Sequence, residues 1–396
     1  MTPRKKRRIL IAFGTRPEAL KFVPLIQTLK ESSDFECFVC ITGQHRQMLE
    51  QVFNVFKIDV DADLKLMKTN QNLEYISGRV ITRFGKVIRK AKPDIVFVQG
   101  DTATALMVGI ASFYAQKPIA HLEAGLRTWN KFQPFPEEMN RKLLSHLADI
   151  HFTPTRAATA NLVNEGIPRH EIHQTGNTIV DTVRLARVLI QDTYPVFEGI
   201  DLKKRLLFVT AHRRESFGQG LKQIFMSLKK IAGEFSDVQI VYPVHLNPNV
   251  SVPAHDILGR TERVHLLPPL TYEETYWLME RCYLIMTDSG GIQEEAPSFR
   301  KPVLILRNVT ERAEGVRAGI AKLVGTETEK IFKITSKLLC DSKAYAAMQA
   351  KKNPYGDGKA SERIINILRR NMGSILSQST NKPLPRTKLQ RITLIK

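Results

Sequence analysis

A chain of 396 residues is longer than one core usually serves, and 43% hydrophobic with 25% charged residues is an ordinary globular balance, so two domains are expected. Nothing resembles a transmembrane span, since apolar runs such as Ile95–Val98 are far too short. Net charge is +20, but ten of those charges sit in the two ends (Arg4, Lys5, Lys6, Arg7, Arg8; Lys382, Arg386, Lys388, Arg391, Lys396), so the charge does not indicate a nucleic-acid groove, and neither nucleic acid nor a membrane is expected as a partner.

The apolar stretch Ile9–Phe13 is too short for a signal-peptide core and predicts a buried strand, which favours a cytoplasmic protein. An amphipathic segment Ala19–Lys30 follows, then a strand over Glu36–Ile41. That strand holds Cys37-Phe-Val-Cys40, which lacks a second pair or zinc-finger histidines and reads as buried strand thiols in a reducing compartment. Helices are predicted over Leu73–Ala91 and Ala103–Tyr114, with strands at Ile95–Gln99, Ile119–Leu122 and Ile150–Pro154. A second series has strands at Leu206–Ala211, Val238–Pro243, Val264–Leu266, Leu284–Thr287 and Val303–Leu306, with helices at Leu221–Phe235 and Thr328–Cys340. Near-continuous apolar strands alternating with helices give the α/β class and parallel sheets covered on both faces. Two series predict two doubly wound, Rossmann-like domains, 9–180 and 181–360, between basic tails 1–8 and 373–396. Periodicity is weakest in Gln191–Gly199, where the chain breaks between the two series.

Ligands of such sheets bind beyond the carboxyl ends of strands, so the strand-to-helix loops carry the chemistry. Phe13-Gly-Thr-Arg-Pro-Glu-Ala19 permits a tight turn, with Pro17 suited to a first helical position and Arg16 beside a helix N-terminus that favours anions; Lys21 follows. Neither G-x-G-x-x-G nor G-x-x-x-x-G-K-[ST] occurs, so no nicotinamide site is recognisable and no cofactor or metal is expected. Asp101 in Gln99-Gly-Asp-Thr102 is either a helix N-cap or a reactive acid. Glu123 directly follows a buried strand and needs a partner or a task. Glu137 and Glu138 open a helix, where acids are also favoured by the dipole. Three carboxylates in one site would supply acid and base for deprotonation at a sugar carbon.

In the second half, His212-Arg213-Arg214-Glu215 can clamp a diphosphate or be a basic turn. Asp288-Ser289-Gly290-Gly291 lets backbone N–H groups approach a pyrophosphate, with Glu295 one turn later within reach of a ribose diol. His245 is a strand-end histidine, and Arg307 and Arg312 follow the next strand.

Together and in this order, Phe13–Ala19, Gly43-Gln-His-Arg46, Gly100–Thr102, His121-Leu-Glu-Ala-Gly-Leu-Arg127, Pro136–Glu138, His212–Glu215 and Asp288–Pro297 closely resemble the bacterial non-hydrolysing UDP-N-acetylglucosamine 2-epimerases, over residues 8 to 370. The resemblance implies a glycosyltransferase-B type fold with its active site in the interdomain cleft. It implies a last helix, about 361–372, that returns to the first domain, and a homodimer. It implies acid/base roles for Asp101, Glu123 and Glu137, with His212 in the catalytic set. Substrate and UDP contacts fall to Arg16, Lys21, Arg141, Ser289, Gly290, Gly291, Glu295 and Arg312. Some members bind a second substrate molecule as activator, at positions matching Gln44, Gln47, Arg213 and His245; a basic position of that pocket is Asn70 here.

The implied reaction interconverts UDP-N-acetylglucosamine and UDP-N-acetylmannosamine, for cell-surface polysaccharide. The hydrogen on carbon 2 is not acidic; oxidising a neighbouring hydroxyl would make it so but needs a nicotinamide, for which no site is recognisable, so the expected route expels UDP from carbon 1 as the proton leaves carbon 2. This gives 2-acetamidoglucal, to which UDP re-adds. Three competing readings are a hydrolysing epimerase (its eukaryotic form carries a kinase domain this chain is too short to hold), a glycosyltransferase of the same fold, and a non-enzymatic nucleotide-sugar binder.

Overall fold

The computed structural model describes residues 6–43, 46–66, 72–190, 197, 199–349 and 352–378. The chain folds into two compact units. The first comprises 1–50, 58–178 and 359–396, the second 51–57 and 179–358. The division at Thr178/Ile179 falls at the start of the helix Thr178–Leu189, so the low-periodicity stretch Gln191–Gly199 comes after that helix. Of that stretch only Phe197 and Gly199 lie within the described residues.

The first unit is built on seven parallel strands: β1 (Arg7–Phe13), β2 (Phe35–Ile41), β3 (Ala62–Asp63), β4 (Ile95–Gln99), β5 (Ile119–Leu122), β6 (Ile150–Thr153) and β7 (Ile172–Gln174). Their order is β3-β2-β1-β4-β5-β6-β7, so the winding reverses between β1 and β4. The second unit has β8 (Arg205–Thr210), β9 (Val238–Pro243), β10 (Val264–Leu267), β11 (Leu284–Thr287), β12 (Val303–Ile305) and β13 (Ala321–Leu323), ordered β10-β9-β8-β11-β12-β13. There the reversal lies between β8 and β11. Both are doubly wound Rossmann-like sheets. The short edge strands β3, β7 and β13 have too few residues to stand out as apolar runs.

Central strands form because aliphatic runs can bury both faces. Ile9–Phe13 and Ile95–Gln99 are buried at every position, and β1 pairs in register with β4, Ile9 opposite Ile95. The helix Leu73–Ala91 buries Ile76, Val80, Phe84 and Ile88, a four-residue spacing that keeps one face on the core. Its N-cap, Asn72, accepts the Tyr75 N–H at 2.9 Å. Each such apolar side chain taken from water contributes about 1.5–3 kcal/mol. The corresponding core of the second unit gathers Leu207, Val209, Phe225, Ile240, Tyr242 and Met286.

The helix Ala360–Gln378 belongs to the first unit and packs on the helix Arg16–Lys30. It buries Ile364, Ile365, Leu368, Met372 and Ile375. Arg363 donates to the Thr175 carbonyl at 3.0 Å and Arg369 to Asp34 at 2.8 Å. Cys37 and Cys40 lie in β2, where burial first, and nearby aspartates second, push both thiols up to about 12. Among the described residues no helix is long and apolar enough to cross a membrane.

After Glu123, the chain crosses close above the helix Arg156–Asn164. Gly125 has φ +92°, and a Cβ there would lie 2.2 Å from the Ala158 carbonyl oxygen. Backbone cannot yield as a flexible side chain can, so Gly125→Ala should destabilise the first unit by about 3 kcal/mol or more. A lowered midpoint of its urea unfolding transition checks this.

Candidate active site

In the first unit, the carboxyl ends of β1, β4 and β5 lie side by side at the winding reversal. The β1 turn is closed by Glu18, a buried carboxylate to which the sequence alone assigns no role. One oxygen accepts the N–H groups of Gly14 (3.1 Å) and Thr15 (2.8 Å) and the Thr15 hydroxyl (2.8 Å). Its other oxygen accepts the Thr102 hydroxyl at 2.8 Å, which ties the β1 loop to the β4 loop. Burial pushes the Glu18 carboxyl up against the lowering effect of these bonds. Thr15-x-x-Glu18 is a capping box, a signal readable from sequence. The helix begins at Arg16, which makes Pro17 its second residue, and Arg16 is half-buried there.

The β4 loop turns at Gly100, φ +67°. Thr102, not Asp101, caps the next helix, accepting the Ala105 N–H at 3.0 Å. A hydroxyl one residue later takes the capping position, which leaves the Asp101 carboxylate for Arg141. Asp101 Oδ2 accepts from Arg141 Nε (3.0 Å) and Nη2 (2.8 Å). Arg141 is buried and also donates to Glu138 at 3.0 Å. Glu138 accepts the Thr128 and Trp129 N–H groups, each at 3.0 Å, and so shapes the loop leading to Glu137. Glu137 is the half-buried first residue of the helix Glu137–Leu147.

Glu123 follows β5 in the left-handed region, φ +60°, a conformation costly for a non-glycine and found at functional positions. Its Oε2 accepts from Lys21 Nζ and Gln99 Nε2. Lys21, expected at the nucleotide, is thus a buried ammonium paired with Glu123. A Cβ on Gly100 would sit 3.9 Å from this carboxylate, which puts the Asp101 and Glu123 loops next to each other. His121, overlooked in the sequence, donates from Nε2 to the Gly100 carbonyl at 2.6 Å and braces the Asp101 turn from below. Burial lowers its pKa to about 4. In the same motif Arg127 is structural, forked onto Glu165 and bonded to Ser145 at 2.9 Å.

In the second unit the reversal lies between β8, which leads to His212 and Arg213, and β11, which leads to Asp288 and Ser289. Ser289 N–H donates to Thr287 Oγ1 at 2.9 Å, and Ser289 caps the short helix Gly290–Glu295. A Cβ on Gly290 would sit 2.6 Å from the Arg312 guanidinium carbon, so glycine lets that side chain lie against the backbone. Arg312 is held by Glu294 at 3.0 Å and by Glu311. Arg307 reaches Glu215 (2.6 Å) and Glu311 (3.1 Å). Burial pushes the Glu311 carboxyl up, but Arg312 and Arg307 outweigh it and hold it at about 2. Glu295 is buried in the same short helix. His245 is exposed and stacks on His212, ring centroids 5.5 Å apart. Of the suggested activator residues, Gln44 and the departure Asn70 lie outside the described residues, as does the Gln47 side chain. Among the described residues no group of three or more His, Cys, Asp or Glu could hold a metal ion.

With this geometry in place, comparison with known proteins is decisive. The family profile described as UDP-N-acetylglucosamine 2-epimerase matches residues 27–369. The chain belongs to that family. It is 46% identical over 369 residues to the UDP-N-acetylglucosamine 2-epimerase of Salmonella typhimurium, covering 91% of this chain and 98% of that protein. It is 46% identical over 366 residues to the Bacillus subtilis enzyme of the same name, covering 92% and 95%. The crystal structure of the Neisseria meningitidis UDP-GlcNAc 2-epimerase bound to UDP-GlcNAc superposes with a TM-score of 0.88 at 43% identity, over 92% of this chain and 100% of that one. This epimerase-family chain therefore carries the glycosyltransferase-B-like pair of Rossmann-like domains seen in those relatives.

A histidine buried in its neutral form opposes folding once its unfolded counterpart protonates. With a folded pKa of about 4 against an ordinary 6.5, His121 contributes stability above pH 6.5 that is lost as pH falls towards 4. By pH 5 the loss is on the order of 2 kcal/mol. Thermal melts at pH 7 and pH 5 should show this fall in the wild type and a smaller one in His121→Gln.

Proposed function

We propose that this chain reversibly inverts carbon 2 of UDP-N-acetylglucosamine by anti elimination and re-addition of UDP, through 2-acetamidoglucal, without hydrolysis. Two constellations carry the reading, each at its own unit's winding reversal. One is a set of carboxylates held by buried cations, the other a glycine turn beside histidine and arginine. The solved relative from Neisseria meningitidis that binds UDP-GlcNAc shares 43% of the sequence.

Asp101, Glu123 and Glu137 take the carbon 2 proton from one face and supply one to the other, which a single carboxylate could not do. The donors on Glu123 from Lys21 and Gln99 suit an anion that accepts a proton from carbon. Arg141 gives Asp101 a cationic neighbour whose position Glu138 fixes. Ser289, Gly290 and Gly291 present backbone and hydroxyl donors to the departing diphosphate, with His212, Arg16 and Arg312 supplying further donors. Glu295 takes the ribose diol. The departing nucleotide has to stay bound, because re-addition returns it to the same carbon. A second substrate molecule as activator would use Gln44, Gln47, Arg213 and His245.

The test is incubation with UDP-N-acetylglucosamine alone, read by proton NMR of the anomeric region. The expected result is a UDP-N-acetylmannosamine signal, with deuterium at carbon 2 when the solvent is D₂O. Free UDP accumulating in step with turnover would mean hydrolysis instead. Asp101→Asn, Glu123→Gln and Glu137→Gln should each lower kcat by about 10²-fold or more. Near-normal turnover in all three would remove the acid/base assignment.

A further inference from the structure

Asp288 has no task in the reaction as described, yet it is wholly buried at the end of β11. Its Oδ2 accepts two backbone N–H groups, from His212 at 2.6 Å and Arg213 at 2.7 Å. Its Oδ1 is buried too and makes no hydrogen bond among the described residues. An unmet carboxylate oxygen in a protein interior is costly, so it needs a partner. His212 Nδ1 lies 3.5 Å from it.

The surroundings of His212 favour one arrangement. His245 stacks on it nearly parallel, 11° between the planes. His245 Nδ1 accepts the Asn247 N–H at 3.1 Å, which fixes the orientation of the stacked ring. Among the described residues, the titratable or charged groups near His212 include Asp288 itself, Arg213 next in the chain, and Tyr242, whose hydroxyl donates to the Ala211 carbonyl at 2.6 Å.

We propose that Asp288 is a positioning residue that holds His212 in the tautomer with its proton on Nδ1, directed at Oδ1. Nε2 is then the nitrogen that meets the nucleotide diphosphate. When Nε2 takes up a proton from bulk water before the bond breaks, the ring charge is balanced by Asp288, and Nε2–H donates a hydrogen bond to a phosphate oxygen as the electron pair of the carbon 1–oxygen bond leaves with UDP. No bond from His212 or Asp288 to the substrate's carbon or phosphorus is made. A buried carboxylate fixing an imidazole tautomer is a general device. The role at the diphosphate rests on the proposed epimerase reaction, whereas the tautomer does not.

Asp288→Asn separates this role from a structural one. The asparagine oxygen can still accept the His212 and Arg213 N–H groups, but an NH₂ replaces Oδ1 and calls for a lone pair on Nδ1. Long-range proton–nitrogen spectra of the full-length, nucleotide-free protein labelled with ¹⁵N-histidine read the tautomer. The His212 pattern is assigned by its loss in His212→Gln. The expected result is a protonated Nδ1 in the wild type and a protonated Nε2 in Asp288→Asn. With UDP-N-acetylglucosamine, kcat of that variant should fall about 10²-fold or more, with KM little changed. A wild type protonated on Nε2, or one tautomer in both proteins, would overturn the proposal. If Asp288→Asn does not fold, the wild-type spectrum decides alone. If the wild type shows the Nδ1 pattern but converts no substrate, the epimerase reading fails and the tautomer assignment stands.

Discussion

A buried carboxylate that accepts backbone N–H groups is the interaction on which both halves of the proposed chemistry rest. Glu18 holds Gly14 and Thr15, Glu138 holds Thr128 and Trp129, and Asp288 holds His212 and Arg213. A loop leaving a parallel sheet has N–H groups with no strand to pair with, and water is kept from them by packing. A carboxylate satisfies two or three at once with charge-assisted bonds, which fix loop direction more firmly than neutral acceptors. Each of these acids stands within a few residues of a residue proposed to act on substrate. The arrangement therefore positions side chains through the backbone.

Much of this was legible in the sequence, for a physical reason. Central strands of a parallel sheet are buried on both faces, so Ile95–Gln99, Ile119–Leu122 and Leu284–Thr287 are found to the residue from their apolar runs alone. The edge strands Ala62–Asp63 and Ala321–Leu323 owe their pairing to backbone and carry too little apolar sequence to be seen. The loops that hold chemistry were visible because charged and glycine residues interrupt apolar runs there. Invisible was the division of labour inside each loop. Glu137 and Glu138 read alike in sequence, yet Glu138 is spent on Thr128, Trp129 and Arg141. Lys21 reads as a basic residue beside the β1 turn, and only the fold sets it against Glu123, 102 positions away in the chain. Only tertiary contact decides such cases.

The same logic explains the concentration of ion pairs in buried places. Exposed pairs such as Lys30–Asp59 add little, whereas Arg141 and Arg312 are each wrapped by two acids. For a guanidinium needed at an anion, this looks counterproductive, because the acids cancel its charge. It fits a site in which the cation must be immobile more than it must be strong. A planar fork fixed on one edge has its remaining N–H groups already directed, and loses little freedom on binding. Gly290 belongs to this design, since only a missing Cβ lets the Arg312 fork lie against the turn.

Rigidity of this kind would suit the proposed elimination, whose intermediate must be recaptured. Loss of a nucleotide from carbon 1 creates charge on a leaving group that water would carry off. Donors that already point the right way stabilise that charge without reorganising. A flexible lysine could bind the ground state as well as the departing anion, and uniform binding does not accelerate chemistry. In the proposed reaction, fixed backbone amides at Gly290 and Gly291, and an imidazole whose tautomer Asp288 is proposed to set, would respond to charge only where it develops. In the first unit Asp101 is held by Arg141 and Glu123 by Lys21 and Gln99, with Glu123 in a left-handed backbone conformation. Strain retained at that residue is the structural counterpart of a carboxylate that has one geometry in which to meet a carbon-bound hydrogen.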